Sequence, residues 1–338
     1  MAPGLRGQFV DEVVAGAQFD VGADIVVGAF YTYRQIGTIV EDLSVDGGSN
    51  YFIANPGLEP DPAVARQLEQ AAQQAAELAA RSPGNEALQA AATLASDRLN
   101  VYKAAVLFPK PQRDYHAVTF TINKRFSNRF SVISSYTYAR LLGNYPGLFS
   151  PYVNQLDPNI SSQYDIIDLT ANRNGPLNND RPHNFKATGF YQQPVAGGRG
   201  TITASLTFTA LSGRPIQTLG QDVVYGARQT FILPSGSAGR TPVITQLDLH
   251  IGYEHLLTDK IKLNIYGDVI NVANQRGVVN VDDEYTFSNV NPILYGKPED
   301  LRKLRATDGS AVVLNSNYGQ PTAYQAPIYL RFGARLYF

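Results

Sequence analysis

The sequence has no cysteine and no tryptophan, and only 17% of its 338 residues are charged. Without cysteine there is no disulfide framework, zinc–thiolate site or cysteine nucleophile. Lys and Arg total 28 against 29 Asp and Glu, so no basic surplus points to nucleic acid. No apolar run reaches about 18 residues, which excludes a helical membrane protein. A soluble protein with few charges remains, as does a transmembrane β-barrel, whose membrane signal lies in alternation.

Apolar and polar residues alternate along several long segments of the chain. In residues 201–210 Thr and Ser take one predicted face, and the other face is formed by Ile202, Ala204, Leu206, Phe208 and Ala210. Residues 246–255 and 260–269 alternate in the same way. Strands in soluble sheets usually span about five or six residues. Runs of about ten residues instead suit strands that cross a bilayer at a tilt.

Nine such runs are predicted, and the connections between them differ in length in a regular way. The runs lie near residues 8–19, 24–40, 114–126, 129–142, 183–194, 200–215, 243–256, 260–274 and 326–338. Four connections are tight turns, whereas the other four run for roughly 25 to 75 residues, far above the usual median of about five. This layout is typical of an outer-membrane barrel. The predicted fold class is therefore all-β, a transmembrane antiparallel β-barrel segment with long extracellular loops.

The C-terminus carries a separate signal. One face of the last predicted strand is formed by Leu330, Phe332, Ala334, Leu336 and Phe338. Arg331 and Arg335 point to the opposite face. The pattern resembles the terminal strand of bacterial outer-membrane proteins, which implies recognition by the barrel-assembly machinery. The alternative is a sheet-edge strand that ends the chain. A one-residue slip would place both arginines in lipid, at a cost of about 2–4 kcal/mol each.

Residues 61–100 break the alternation and predict a helical hairpin. This segment is rich in Ala, Gln, Glu and Leu, with Asp61 as a plausible N-cap and Pro62 at the first helical position. A break at 82–85 separates a second predicted helix at 86–99. On the barrel interpretation the hairpin is an insertion in an extracellular loop. It is either a spacer that shields the loop or a knob that binds a partner.

Short motifs stand at the predicted strand ends, where Pro and Gly end the strand pairing. They are Tyr31-Thr-Tyr-Arg34 followed by Glu41-Asp42, Tyr51-Phe-Ile-Ala-Asn-Pro-Gly57, Ser135-Tyr-Thr-Tyr138, Gly143-Asn-Tyr-Pro-Gly-Leu-Phe149, Asp180-Arg-Pro-His183, Leu211-Ser-Gly-Arg-Pro215, Gly239-Arg-Thr-Pro242 and Asp268-Val-Ile-Asn-Val-Ala-Asn274. In this order they resemble the TonB-dependent outer-membrane receptors, and among them the Oar-like family of myxobacteria and relatives. The resemblance implies a 22-stranded barrel with a plug in the lumen. It also implies transport of a substrate, energised through TonB.

The sequence departs from that family in extent. With nine antiparallel strands the first and last run the same way, so they cannot form an antiparallel seam. No plug, TonB box or signal-peptide pattern is recognised in the chain. We therefore expect residues 1–338 to be the C-terminal portion of one larger barrel, from a truncated gene model or a split gene. The TonB complex would act through a missing N-terminal part.

No motif for catalysis, a cofactor or a metal stands out, since the G-x-S-x-G elbow, the P-loop and H-E-x-x-H are all missing. We expect a non-enzyme with no catalytic residue and no cofactor. Two acidic stretches, Asp165-Ile-Ile-Asp168 and Asp282-Asp-Glu284, are weak candidates for calcium because neither has the spacing of a known loop. On the predicted barrel His250 falls on the lumen face. His116 and His255 fall on the lipid face near the strand ends.

Loop residues offer candidate contacts to partners. Tyr145, Phe149 and Tyr152 are a candidate aromatic contact for ligand, with packing of the loop on itself as the alternative. Lys110 and Arg113 near a loop mouth are candidates for lipopolysaccharide phosphates, with solvated charges as the alternative. The expected partners are outer-membrane lipid and lipopolysaccharide, the barrel-assembly machinery, the TonB complex and an unidentified substrate, with no nucleic acid.

The predicted function is that of the C-terminal barrel portion of a TonB-dependent receptor, which moves a substrate across the bacterial outer membrane. Three alternatives remain: a passive porin-like or structural barrel, an adhesive surface protein whose loops bind a partner, and a soluble β enzyme. A plug and a TonB box upstream would separate a receptor from a porin. Import and export are both compatible with the sequence.

Overall fold

The main sheet is a meander of nine long strands. The computed structural model describes residues 4–153 and 161–338. The strands are β1 (Val10–Asp20), β2 (Ile25–Ile36), β3 (Arg113–Ser127), β4 (Phe130–Gly143), β5 (His183–Val195), β6 (Gly200–Leu211), β7 (Ile244–Leu256), β8 (Lys262–Ile270) and β9 (Tyr329–Tyr337). Each strand pairs antiparallel with the next in chain order. In the described part of the chain β1 and β9 each have one neighbour, so the sheet is open at both edges.

The two faces of the sheet differ in polarity, because alternate residues of a strand point to opposite faces. Leu206, Leu249 and Leu330 belong to one row across the apolar face, whereas Thr207 and Asp248 pair in the next row on the polar face. Large exposed side chains of the apolar face are Val13, Phe19, Tyr31, Phe120, Ile122, Tyr138, Tyr191, Ile202, Phe208, Ile251, Tyr253, Ile265, Phe332 and Leu336. This face crosses the whole sheet, whereas soluble monomers rarely expose apolar patches above a few hundred Å².

Short turns join the strands at one end of the sheet. They lie at residues 21–24, 128–129, 196–199 and 257–261, which is within two residues of the predicted positions. Asn128 and Arg129 have φ angles of 50° and 71°. Both angles fall in the left-handed region that a two-residue hairpin turn requires. All four long connections therefore leave the sheet at its opposite end.

Two helices, α1 (Pro62–Arg81) and α2 (Glu86–Ala104), lie between β2 and β3 and pack against each other. The Asp61 carboxylate accepts a hydrogen bond of 2.7 Å from the Ala63 amide, as an N-cap does. Helix α2 ends at Ala104 rather than near residue 99, because Val101 is buried in a core formed by the loops. In the described residues no helix is long and apolar enough to cross a membrane.

The long loops fold into packed structure of their own. Their short strands are Glu41–Leu43, Phe52–Ala54, Gly175–Pro176, Leu219–Asp222, Gly226–Phe231, Val278–Val281, Glu284–Asn289 and Pro321–Tyr324. The larger loop core contains Ile36, Ile39, Leu43, Ala54, Val101, Ala105, Phe108, Tyr145 and Tyr164. A second core contains Ile232, Leu233, Val290 and Leu304. The alternation of apolar and polar residues does not predict these strands, because runs of two to six residues are too short to develop it.

Candidate functional site

Three of the sequence motifs meet where the long loops leave the sheet. Residues 180–183 lead into β5, residues 211–215 leave β6, and residues 239–242 lead toward β7. Each motif contributes one arginine. The meeting point, termed the arginine junction, consists of Asp180, Arg181, Arg214, Arg240 and Asp283. The meander explains the meeting, because consecutive strands bring their long-loop ends together.

Asp180 is the fully buried anion of the arginine junction. Its Oδ1 accepts a hydrogen bond of 2.7 Å from the Leu141 amide. Its Oδ2 pairs with Arg240 Nη2 and lies 3.8 Å from Arg140 Nε. A carboxylate buried in this way needs both donors and cations around it. Asp180 therefore fixes the start of β5 to β4 and to the segment before β7.

Arg214 is the buried cation of the arginine junction. Its Nη1 lies 3.0 Å from Asp283 Oδ2 and donates to Asn178 Oδ1 at 2.6 Å. Burial raises the pKa of Asp283, whereas Arg214 favours the charged form of this carboxyl. The Arg214 amide donates to Thr241 Oγ1, and its carbonyl accepts from the Thr241 amide, both at 3.0 Å. A Cβ on Gly213 would lie 1.6 Å from the Thr241 carbonyl oxygen, so glycine is required there.

Arg181 differs from the other two arginines because it lines an open cavity. This Arg181 cavity, about 330 Å³ in volume, lies on the polar face just below the loops. It is lined by Tyr115, Thr137, Ala139, Leu141, Asn179, Asp180, Arg181, Asn184 and Leu211. Arg181 Nη1 donates to the Ser212 carbonyl at 2.8 Å. Burial lowers the pKa of Arg181, and the charges of Arg214 and Arg240 lower it further.

A second buried cluster lies around Glu41 in the larger loop core. Ser161 Oγ lies 3.1 and 3.0 Å from the two carboxylate oxygens of Glu41. Burial raises the pKa of Glu41 to about 7 and that of Asp165 to about 6. The Tyr225 hydroxyl interacts with Asp165 and lies 2.6 Å from the Tyr51 hydroxyl. The cluster thus joins three loops and changes its charge near neutral pH.

The three aromatic residues considered as ligand contacts have different environments. Tyr145 is fully buried and packs near Tyr164, with 6.4 Å between ring centroids. Tyr152 is 5% exposed and packs edge-on against Phe231, with 5.1 Å between ring centroids. Phe149 is 49% exposed. The two tyrosines therefore pack inside the loops, as the alternative interpretation expects. The role as a ligand contact stays a prediction for Phe149, which is exposed.

Of the acidic residues considered for calcium, Asp282, Asp283 and Glu284 are engaged with arginines. Asp282 Oδ1 lies 2.9 Å from Arg228 Nη2, and Glu284 Oε2 lies 3.3 Å from Arg228 Nε. Asp165 belongs to the buried Glu41 cluster. Across residues 4–153 and 161–338 no three His, Asp or Glu side chains are grouped so as to hold a metal ion. The structure gives the calcium interpretation no support.

Tyr–His pairs mark both ends of the apolar face. In each pair 2.7 to 2.9 Å separates the hydroxyl oxygen from the ring Nδ1, and the pairs are Tyr31–His116, Tyr136–His183 and Tyr253–His255. The first two lie at the long-loop end and the third lies at the short-turn end. His250 lies on the polar face, with its Nδ1 2.6 Å from Asp268 Oδ1. The predicted faces of His116, His250 and His255 are confirmed.

The last strand keeps the predicted register. Arg331 Nε lies 2.7 Å from Asp268 Oδ2 on the polar face, and the Arg335 guanidinium lies 5.2 Å from the Tyr266 ring centroid. The residues predicted as an assembly signal are all exposed: Leu330, Phe332, Ala334, Leu336 and Phe338. Such exposure is compatible with recognition, which stays a prediction.

The two cations considered for lipopolysaccharide lie in different places. Arg113 is two positions before Tyr115 and therefore on the polar face, away from the lipid side. Its Nε lies 3.4 Å from the Pro146 carbonyl oxygen. Lys110 is exposed in the loop before β3. Binding of lipopolysaccharide stays a prediction for both residues, and the position of Arg113 on the polar face makes Lys110 the more accessible of the two from the lipid side.

Comparison with known proteins identifies the family. A family model described as outer membrane beta barrel domain matches residues 62–230, which is half of the chain. The chain belongs to this family. Over 352 residues it is 32% identical to the TonB-dependent transporter Oar of Myxococcus xanthus, a match that covers 99% of this chain and 29% of the relative. The resemblance found in the motifs is confirmed, and the chain spans less than a third of that relative.

One solved structure with a similar chain is the ferric-catecholate import receptor Fiu from E. coli K12 in its closed form. The match covers 98% of this chain and 28% of that chain, with a TM-score of 0.39 and 10% identity. The family assignment rests on the sequence matches. As an outer-membrane barrel domain, the chain places its apolar face in the lipid of the bacterial outer membrane and its polar face toward the lumen.

Proposed function

We propose that this chain forms the C-terminal wall and loops of a TonB-dependent transporter, which moves a substrate across the bacterial outer membrane. The observation that carries the proposal is the 32% identity to Oar, which extends over 99% of a chain whose sheet is open. Open strand edges in lipid leave backbone N–H and C=O groups unpaired, so further strands are needed to complete the barrel. We infer a larger barrel of the 22-strand type, with a plug on which TonB acts.

In this proposal the long loops are extracellular, and the short turns and the C-terminus are periplasmic. The grouping of all short turns at one end supports this orientation. The α1–α2 hairpin then projects from an extracellular loop. The arginine junction lies at the outer mouth of the lumen and holds the loop ends of β4 to β7 in fixed positions. This chain supplies wall and loops, and the coupling element lies elsewhere.

A barrel without TonB coupling, either porin-like or adhesive, is the second candidate. The observation that favours an adhesive role is the α1–α2 hairpin, most of whose residues are exposed. Of its described residues only Ala79 and the end of α2 are buried. Deleting residues 61–100 would then abolish binding of a partner while membrane insertion remains normal.

The test compares three strains of the native bacterium: wild type, a deletion of the gene for the full-length protein, and a variant whose TonB-contacting segment is inactivated. Mass spectrometry of the spent medium measures which small molecules and proteins each strain removes or releases. We expect the deletion and the variant to change the same compounds in the same direction. That direction separates import from export.

A change in the deletion strain that the uncoupled variant does not share would reject energised transport. Such a result would favour the passive or adhesive barrel. The abundance of the uncoupled variant in the outer-membrane fraction is the control, because it shows whether the barrel is present while coupling is absent.

A further inference from the structure

The polar face of β3 to β6 carries positive charge that no carboxylate of these strands balances. Alternation places Arg113, Arg125 and Lys186 on this face, with Arg181 just above it. Arg125 pairs with Asp20 at 3.2 Å. Neither Asp nor Glu occurs at the polar-face positions of these strands. Within the described ranges the other three cations form no ion pair, so this part of the lumen wall is positive.

The polar face of β7 to β9 is different because carboxylates match its cations in number: Asp248, Glu254 and Asp268 lie on this face with Lys262, Arg331 and Arg335. Lys262 Nζ lies 3.3 Å from Glu254 Oε1, and Arg331 Nε lies 2.7 Å from Asp268 Oδ2. The unbalanced charge is therefore a local property of the wall below the arginine junction.

The Arg181 cavity lies within this positive region and offers polar groups that recognise anions. Thr137 and Asn184 are paired in register in its lining, and they supply a hydroxyl and an amide. Asp180 at its rim is already paired with Arg240 and lies 3.8 Å from Arg140 Nε. Of the five N–H groups of Arg181, one donates to the Ser212 carbonyl within the described chain. A guanidinium with free N–H groups pairs best with a carboxylate or a phosphate.

We propose that the Arg181 cavity binds an anionic group of the transported substrate, either a carboxylate or a phosphate. Arg181 makes the main contact, and Lys186, two positions beyond Asn184 on the same face, supplies the second positive charge. The inference rests on the proposed function for the path of the substrate through the lumen. Its competitor is an acidic side chain of a protein segment that occupies the cavity in the assembled barrel.

The experiment introduces a thiol into the cavity, which is practical because the chain has no cysteine. Thr137→Cys is placed in the full-length protein, otherwise free of cysteine, and studied in outer membranes. Its rate of modification by anionic sulfonatoethyl methanethiosulfonate is compared with the rate for the cationic trimethylammonium analogue. The two reagents differ by two charges, so a local potential of one kT per unit charge favours the anionic reagent about sevenfold.

Thr203→Cys is the matched control. It lies on the polar face of the same sheet, six positions along β6 from Thr209, which is the register partner of Lys186. Six positions correspond to about 20 Å, beyond a Debye length of about 8 Å at physiological salt. The ratio of anionic to cationic modification rates at this site gives the charge preference of the lumen where the electrostatic influence of Arg181 and Lys186 is screened.

We expect the ratio at Thr137→Cys to exceed that at Thr203→Cys at least fivefold. Arg181→Gln and Lys186→Gln should each lower it, while Arg181→Lys should retain it. Millimolar inorganic pyrophosphate should slow modification of Thr137→Cys and leave Thr203→Cys unchanged. Since Lys186 is exposed, its substitution tests the charge even where Arg181→Gln disturbs the loops.

Equal ratios at the two sites, or a ratio at Thr137→Cys that neither substitution changes, would overturn the proposal. A ratio below that of the control would also overturn it, because it would place a protein carboxylate in the cavity. The measurement needs neither energy nor TonB. If the thiol measurement contradicts this site, the transport proposal is still decided by the spent-medium test. If the spent-medium test contradicts transport, the anion preference measured at the cavity is unaffected.

Discussion

Replacing Leu206 with lysine tests the assignment of the apolar face to lipid. Leu206 is 53% exposed and pairs with Leu249 on β7 and Gly189 on β5. It lies six residues from Gly200 and five from Leu211, or about 20 and 17 Å along the strand at about 3.4 Å per residue. For a tilt of about 45° these lengths correspond to about 14 and 12 Å across the membrane. The side chain is therefore near the middle of the hydrocarbon layer.

A lysine on the lipid face at that depth destabilises a barrel by about 2–4 kcal/mol, which lowers the ratio of folded to unfolded protein by roughly 30- to 700-fold. Thr207→Lys is the matched control, because it places the same charge one position further on the polar face. Thr207 pairs with Asp248 and Thr188, so the new ammonium meets a carboxylate and the lumen. We expect a change of about 0.5 kcal/mol or less for this control.

The assay is a urea titration of the full-length protein refolded into lipid vesicles, with the heat-modifiable shift in gel mobility as the measure of the folded fraction. The same shift in outer-membrane fractions reports assembly in cells. Equal destabilisation by the two lysines, or a larger effect of Thr207→Lys, would show that the faces are assigned in reverse or that lipid does not contact β6.

Three further predictions concern the loops and the C-terminus. Gly213→Ala should open the arginine junction, because the new Cβ would lie 1.6 Å from the Thr241 carbonyl oxygen. Proteolysis of residues 213–242 should then accelerate severalfold. The control Gly84→Ala, whose Cβ has no neighbour within 4 Å, should leave the rate of proteolysis unchanged. Burial raises the pKa of Glu41 from 4.5 to about 7, so between these values the folded state holds more protons than the unfolded state, and the loop should lose stability as pH rises. Hydrogen-exchange protection of residues 41–54 should fall across this window, and Glu41→Gln should flatten the profile. Deletion of Phe338 should lower outer-membrane assembly sharply relative to Phe338→Tyr, and normal surface levels of the deletion would count against an assembly signal.

The long strands of the sheet are predictable from the sequence because every second side chain faces lipid and is therefore apolar. The alternation in residues 200–211 gives both the strand and the face of each side chain, and the structure agrees. Strand ends are less predictable because tertiary contacts set them. Strand β6 ends at Leu211 rather than near residue 215, since Gly213 turns the chain against Thr241. Strand β8 ends at Ile270, because Asn271 takes a φ of 55° that a strand cannot continue.

The arginine junction is not predictable from local pattern. Asp180 and Arg240 are 60 residues apart, and each motif taken alone signals only the end of a strand. A usable signal is nevertheless present in the sequence. A meander brings the long-loop ends of consecutive strands together, so three motifs that each carry an arginine at such an end must place several cations close to one another. Like charges at one place require buried anions, and Asp180 is the acid within those motifs.

The ion pairs of the arginine junction distinguish Arg214 and Arg240, which stabilise the loops, from Arg181, for which we propose a role in binding. Arg214 and Arg240 each have a buried carboxylate partner, as a cation taken out of water requires. Arg181 is half-buried beside them without such a partner in the described chain, and the neighbouring arginines repel it. A neutral side chain could donate the same hydrogen bond to the Ser212 carbonyl without that repulsion. Contacts within the described chain therefore give no reason for a guanidinium at this position, whereas the proposed anion in the lumen does.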